Sequence, residues 1–282
     1  MTAPWQARLD EAARRIGRAD ARRILAEVTG QGDLAPILAA APGRLAVSRF
    51  DELVDRRAGG EPLQYVLGSW SFRSLDLLVD RRVLIPRPET EELAGLAIDE
   101  VRARLGRDGP VRIVDLGTGS GALALAVAAE VEASALEVWA TDVSADAVEV
   151  ARANLAGLGT AGTRVRVAHG DWYDALPHEL AGALDVVVSN PPYVAAGETL
   201  SPEVADWEPR SALLAGPDGT EAHAAVLAGA AQWLAPGGVA MVEIAPHQAV
   251  PVAAMAVARG LTRPRVVPDL TGRLRVVVAR RP

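Results

Sequence analysis

Cysteine is absent from this chain. That excludes disulfides, thiolate metal sites and cysteine nucleophiles, and it fits a reducing compartment. Lysine is absent too, so all 29 basic residues are arginine. Against 36 acidic residues they leave a net charge of −7. A protein that lives on a phosphate backbone usually shows a basic face, so the acidic total argues against stable nucleic-acid binding. Histidine is scarce: His169, His178, His223 and His247 are scattered, and no pair has metal-ligand spacing. Each reads as a surface or structural residue, and no metal is expected. No apolar run approaches the roughly 18 residues of a membrane span. The opening residues, Met1-Thr2-Ala3-Pro4-Trp5-Gln6, lack the basic-then-apolar pattern of a secretory signal. The expectation is a soluble, cytoplasmic protein that does not engage membranes.

Aromatics make up only 4% of the 282 residues, while half of the chain is hydrophobic. The core must therefore be built from Ala, Val, Leu and Ile, and the length suits about two domains. Residues 4 to about 58 carry apolar positions at helical spacing. Trp5, Leu9, Ala12, Ala13 and Ile16 form one face, and Ala21, Ile24, Leu25 and Val28 form a second. Leu34-Ala35-Pro36-Ile37-Leu38 begins a further short segment, and Phe50, Leu53 and Val54 carry a third face ending at Gly59-Gly60. Residues 1–60 are expected to form a small helical bundle.

Residues 61–88 differ. Tyr65, Val66 and Leu67, then Trp70, Phe72, Leu75, Leu77, Val79 and Val83, read as short strands, with turns at Gly68-Ser69 and Asp80-Arg81. This stretch is expected to be an extended, hairpin-like connector that Pro86 and Pro88 stop. Glu89-Thr90-Glu91-Glu92 then opens a helix with acids in its first turn, where the helix dipole favours them. Arg87 and Glu89 read, on their own, as structural.

From residue 111 short apolar strands alternate with helical patterns. The strand candidates are Arg112–Leu116, Val138–Asp142, Val165–His169, Leu184–Ser189, Val239–Ile244 and Arg275–Ala279, with helices near residues 121–131, 144–157, 220–234 and 248–259. Such alternation predicts an α/β fold: a mostly parallel sheet covered on both faces, with its ligand at the carboxyl ends of the strands.

The chemistry-bearing motifs fall at those strand ends. Asp115-Leu116-Gly117-Thr118-Gly119-Ser120-Gly121 follows the first strand and opens a helix. Its glycines let the backbone approach a ligand and adopt positive φ. The spacing is not that of a dinucleotide fingerprint, and the lysine of a phosphate loop is missing. Asp142 ends the second strand, where an acid can accept both hydroxyls of a ribose. After the third strand come Gly170-Asp171-Trp172: the acid can reach an adenine amino group and the indole can lie along the base. Together they describe a nucleoside pocket.

At the end of the fourth strand stands Asn190-Pro191-Pro192-Tyr193. An amide or ring-bound amino nitrogen is a poor nucleophile because its lone pair is delocalised. The Asn190 side-chain oxygen can accept one of its N–H bonds and the Pro191 carbonyl the other, while two prolines fix the loop. Tyr193 can pack on the flat group and exclude water. Asn190-Pro191-Pro192-Tyr193 at this place resembles the motif of methyltransferases that act on planar nitrogens, and that resemblance makes Asn190, Pro191 and Tyr193 the candidate catalytic residues. With Pro192 they form the candidate substrate site, and Asn190 also borders the nucleoside pocket. No general base is needed, since the proton can leave after transfer.

The order of these motifs resembles that of S-adenosylmethionine-dependent methyltransferases. That implies a Rossmann-like, mostly parallel seven-stranded sheet over residues 89–282, with S-adenosylmethionine as the methyl donor. The cofactor-binding set it implies is Asp115, Gly117, Thr118, Gly119, Ser120, Gly121, Asp142, Asp171, Trp172 and Asn190, with Asp115 facing the methionine end. In that fold the Asn-Pro-Pro-Tyr motif marks transfer to a planar nitrogen, of glutamine or of adenine. Gly60-Glu61-Pro62-Leu63-Gln64-Tyr65-Val66-Leu67-Gly68, Val83-Leu84-Ile85-Pro86-Arg87-Pro88-Glu89-Thr90-Glu91, Asp20–Gly30 and Asp269-Leu270-Thr271-Gly272-Arg273 further resemble the release factor glutamine methyltransferases, over essentially the whole chain. The resemblance implies methylation of the side-chain nitrogen of the glutamine in the Gly-Gly-Gln loop of peptide chain release factors. It also implies that Arg87 and Glu89 border the cofactor pocket or the substrate loop. The N-terminal bundle, separate from the cofactor motifs, is expected to help hold that protein substrate. The chain departs from the family pattern at Ala245, where glycine is expected, and at Leu274, where aspartate is expected. The competing readings are a glutamine methyltransferase of a ribosomal protein, an adenine-N6 methyltransferase of DNA or RNA, and a noncatalytic module that kept the fold.

Overall fold

A computed structural model describes residues 4–282. Residues 1–3, the first of the expected N-terminal bundle, lie outside the described residues. The chain divides into two compact units, Met1–Ser69 with Leu200–Trp207, and Trp70–Thr199 with Glu208–Pro282.

The first unit is helical: α1 (Trp5–Ile16), α2 (Arg18–Thr29), α3 (Arg44–Ala58) and the single turn α4 (Leu63–Leu67). Trp5, Leu9 and Ala12 fall on one stripe of α1 and bury it against Ala21, Ile24 and Leu25 of α2 and Phe50, Leu53 and Val54 of α3. Trp5 and Phe50 meet edge to face, with ring centroids 5.5 Å apart. The segment from Leu34 makes turns, not a helix, yet it buries Leu34 in the same core. Arg57 pairs with Asp20 at 2.7 Å and with Glu203 at 2.6 Å.

Tyr65–Leu67 is helical, which corrects the strand expected there. Pro62 lacks an N–H and suits a helix start, and Gly68 at φ +80° ends the turn in the left-handed region that glycine tolerates. Arg56, paired with Glu61, also donates to the Tyr65 carbonyl at 3.0 Å, satisfying a helix-end acceptor. The expected hairpin follows as β1 (Ser69–Phe72) and β2 (Leu75–Leu78), with its turn at Arg73. Val79 and Val83 are buried in the loop after it and do not extend a strand.

The second unit holds α5 (Thr90–Arg104), β3 (Val111–Leu116), α6 (Ala122–Glu130), β4 (Leu136–Asp142), α7 (Ala145–Ala156), β5 (Val165–His169) and β6 (Leu184–Ser189). The short α8 (Pro202–Ala205) belongs to the first unit. The second then continues with α9 (Glu221–Trp233), β7 (Leu234–Glu243), α10 (Ala249–Ala258), β8 (Thr262–Pro268) and β9 (Leu274–Arg280). The seven-stranded sheet runs β5-β4-β3-β6-β7-β9-β8. All pairings are parallel except those of β9, which is antiparallel to β7 and β8.

Successive strand side chains point to opposite faces, and the sequence fills both with aliphatics. Ile113, Val186, Val188, Val239, Met241, Val276 and Val278 join one core with α5 and α6. Val114, Val187, Ala240, Val242 and Val277 join the other with α9 and α10. Burial on both faces explains the near-continuous apolar strands. The chain winds from β3 out to β5 and then returns to place β6 on the other side of β3. That reversal puts the switch point at the carboxyl ends of β3 and β6. No helix among the described residues is long and apolar enough to cross a membrane.

Candidate active site

A cleft of about 120 Å³ opens beyond the carboxyl ends of β3, β4 and β6. Its wall includes Gly117, Gly119, Asp142, Asp171, Trp172, Asn190 and Pro192.

Asp115, next to last in β3, is buried. Its Oδ2 accepts from Thr118 Oγ1 at 2.6 Å and from the Ala124 amide at 3.3 Å, while Oδ1 is buried with no partner in the protein. Burial pushes this carboxyl up to about 7, against the pull of the Thr118 and Ala124 hydrogen bonds. The Thr118 amide donates to the Thr141 carbonyl at 2.9 Å. Gly117 stands at φ +73°, and a Cβ there would lie 3.5 Å from the Trp172 ring. Gly121 at φ +88° passes Leu125 so closely that a Cβ would meet it at 3.0 Å. Asp115, Thr118, Ser120 and Gly121 thus build the turn from behind, while Gly117 and Gly119 expose backbone to the cleft.

Asp142 ends β4. Its Oδ2 accepts from the Gly119 amide and its Oδ1 from the Ser144 amide, each at 2.9 Å. Burial raises its pKa despite these two bonds. Trp172 adopts φ +41°, and its carbonyl accepts from Thr141 Oγ1 at 3.2 Å, which turns the indole onto Gly117. Next to it, Tyr173 is anchored in the core by a 2.8 Å bond to the Val226 carbonyl.

At the end of β6, Ser189 Oγ donates to the Leu116 carbonyl at 2.6 Å and ties the two strand ends together. Asn190 follows. Its Nδ2 donates to Thr90 Oγ1 at 3.1 Å, and its Oδ1 is buried without a partner. Pro191 and Tyr193 are not part of the cleft wall. Burial, with Glu243 nearby, pushes the Tyr193 hydroxyl up to about 12, so it stays protonated. The loop is fixed from within by Gln248, whose Nε2 donates to the Tyr193 carbonyl at 3.0 Å and to the Gly219 carbonyl at 2.9 Å. Its Oε1 accepts from the Ala245 amide at 3.0 Å, so alanine at the departure from the family pattern still makes this backbone contact.

The structure adds residues that the motifs did not disclose. Arg82, Val83 and Leu84 form one flank of the cleft, and Pro209, Ser211 and Ala212 another. The buried Glu208 accepts from Arg87 at 2.5 Å and from the Ile85 amide at 3.3 Å, joining the two flanks. Thr90 and Glu243 stand behind Asn190. An acid closing the apolar run of β7 is the sequence signal for Glu243; Arg87, which the resemblance sets beside the pocket or the substrate loop, pairs with Glu208 and is not itself in the cleft wall.

The sheet order and the ligand cleft at its switch point define an S-adenosylmethionine-type methyltransferase architecture, and the comparisons agree on the class. Residues 103–206 match the Methyltransferase small domain, and residues 3–68 match the PrmC N-terminal domain. A Pyrococcus furiosus methyltransferase structure shares the fold with a TM-score of 0.51 at 20% identity, covering 74% of this chain and 90% of that one. A T. thermophilus 16S rRNA methyltransferase, solved with AdoMet and guanosine, gives 0.50 at 20% identity, covering 76% of this chain and 50% of that one. The release factor glutamine methyltransferase of Cereibacter sphaeroides is 40% identical over 279 residues, 97% of this chain and 93% of its own length. That of Deinococcus radiodurans is 39% identical over 279 residues, 98% and 95% of the two chains. The chain belongs to the release factor glutamine methyltransferase family.

Proposed function

We propose that this enzyme transfers a methyl group from S-adenosylmethionine to the side-chain nitrogen of the glutamine in the Gly-Gly-Gln loop of peptide chain release factors. The observation that carries the reading is the Asn190 side-chain oxygen, a buried acceptor without a partner at the end of β6. An unmet buried acceptor is costly unless a ligand satisfies it.

The residues present fit the donor. Gly117 and Gly119 bring bare backbone to the cleft, Asp142 offers its remaining lone pairs to ribose hydroxyls, and Asp115 Oδ1 is a second unmet acceptor. Asp171 and Trp172 suit the adenine, with Thr118, Ser120 and Gly121 shaping the turn. When bound, S-adenosylmethionine supplies an electrophilic methyl on a sulfonium. The chain's own residues supply position. Asn190 Oδ1 accepts one N–H of the substrate carboxamide and the Pro191 carbonyl accepts the other. Held by both hydrogens, the substrate nitrogen would face the methyl of a bound donor. Positive charge growing on the nitrogen meets two fixed oxygen dipoles. Pro192 and Tyr193 hold the flat group and exclude water, and no base is assigned. The N-terminal helical unit holds the release factor, and the reaction takes place in the cytoplasm, where release factors act.

The test is methyl transfer from labelled S-adenosylmethionine to purified release factor carrying Gly-Gly-Gln or Gly-Gly-Ala. Label on the first and none on the second is expected. Equal labelling would exclude that glutamine. No label on either, with cofactor bound, would move the search to ribosomal proteins and nucleic acid.

A further inference from the structure

Three side chains behind the acceptor loop form one hydrogen-bonded line. Asn190 donates from Nδ2 to Thr90 Oγ1 at 3.1 Å, and Thr90 donates to Glu243 Oε2 at 2.7 Å. They come from three elements: the end of β6, the first residue of α5 and the end of β7. Thr90 and Glu243 are both buried, and Glu243 Oε1 has no partner in the protein.

The direction of this line is fixed by hydrogen counting. An ionised carboxylate has no hydrogen to give. Opposite it, the one hydroxyl hydrogen of Thr90 points at Glu243, and only lone pairs remain for Asn190. The amide must then turn its NH₂ to Thr90 and its oxygen away. The two ends of a carboxamide are nearly equal in shape, so packing alone does not choose between them. We propose that Glu243, acting through Thr90, is a positioning residue that sets which end of the Asn190 amide faces the substrate carboxamide. This rests on the reading above, in which Asn190 receives a substrate N–H. A flipped Asn190 would set donor against donor.

Protonation of Glu243 removes the constraint. A carboxylic acid can donate to Thr90, whose hydroxyl then donates to the amide oxygen, and the flipped form is favoured. Burial pushes Glu243 up to about 7, while the Thr90 bond, Arg275 and Arg87 pull it down and Glu89 pushes it up. Tyr193 also faces it, and His223 donates from Nε2 to the Glu243 carbonyl at 2.8 Å. Burial keeps His223 below its ordinary value. Arg275 is itself paired with Asp269 at 3.4 Å and Arg87 with Glu208 at 2.5 Å.

The test follows the Asn190 side-chain ¹⁵N–¹H resonances of the full chain from pH 5 to 9, assigned by their loss in Asn190→Ala. A single transition near neutrality is expected in the wild type, and none in Glu243→Gln or Thr90→Val. In steady state, Thr90→Val should lower kcat at least tenfold. Its KM for the release factor and its Kd for S-adenosylhomocysteine should stay within twofold, and Thr90→Ser should restore kcat to within threefold. Thr90→Val combined with Glu243→Gln should be no slower than the slower single variant, because both break one line. An Asn190 signal with no pH transition in the wild type, full kcat in Thr90→Val, or additive losses in the double variant would each overturn the proposal. A wild type that labels no release factor would instead sink the proposed substrate, and the amide resonances would still decide the orientation.

Discussion

Two buried carboxylates, Asp115 and Glu243, stand at the carboxyl ends of parallel strands, and burial pushes both up to about 7. Their partners differ. Asp115 is met by Thr118 and Ala124, three and nine residues along the chain. Glu243 is met by Thr90, 153 residues away. The proposed cofactor side is therefore assembled from one strand-turn-helix, while the acceptor side exists only when α5, β6 and β7 are brought together. A local motif carries its chemistry wherever it folds; a long-range one depends on the whole sheet.

The sharpest way to break the comparison is Asn190→Ala. Transfer should fall roughly a thousandfold, the order seen when an oriented acceptor or donor is lost, while Kd for S-adenosylhomocysteine stays within twofold. Parallel losses in both would mean that the two sides are not separable. Glu208→Ala tests the long-range assembly directly. It leaves Arg87 without its buried partner and should cost about 3 kcal/mol in a denaturant melt.

Acid dependence tests the carboxylates themselves. Glu243 has an ordinary value of 4.5 and stands near 7 in the fold. The folded chain therefore keeps a proton that the unfolded chain has lost. Stability should fall as pH rises from about 4.5 to about 7 and level off above, by roughly 3 kcal/mol for this group. Asp115, ordinarily 3.8, adds a similar slope beginning at lower pH. Glu243→Gln and Asp115→Asn should each remove one component of the slope relative to wild type, against which the buried His223, held below its ordinary value, contributes in the opposite sense; a variant whose pH slope matches the wild type would rule out its carboxylate.

Asp142→Ala should weaken S-adenosylhomocysteine binding roughly tenfold, the worth of one charged hydrogen bond, with kcat at saturation little changed. A loss confined to kcat would place Asp142 on the acceptor side. The smallest effect lies in the helical unit. Arg57→Ala breaks two partly exposed ion pairs and should cost about 1 kcal/mol.

The same contrast explains what the sequence discloses. The glycine turn, Asp142 and Asn190-Pro191-Pro192-Tyr193 are legible because each falls where an apolar strand stops. Thr90, Gln248 and Glu208 are not, because their partners lie far along the chain and a lone buried polar residue has no local signature; Glu243 does close an apolar strand, but its partner Thr90 is 153 residues away. β8 is hidden for another reason. Pro264 and Pro268 argue against a strand, and the structure admits them at the sheet edge, with the register skipping between Thr262 and Arg265. Tyr65–Leu67 misleads through its apolar run, which here packs one helical turn onto the bundle core.

Gln248 gives the acceptor loop a second meaning. It carries the same functional group as the proposed substrate, and two backbone carbonyls, those of Tyr193 and Gly219, already hold its nitrogen. The loop is thus clasped from the inside by a carboxamide, just as it is proposed to clasp one on the outside. The inner one is buried, so the protein carries within itself a resident example of the carboxamide contact proposed for its substrate.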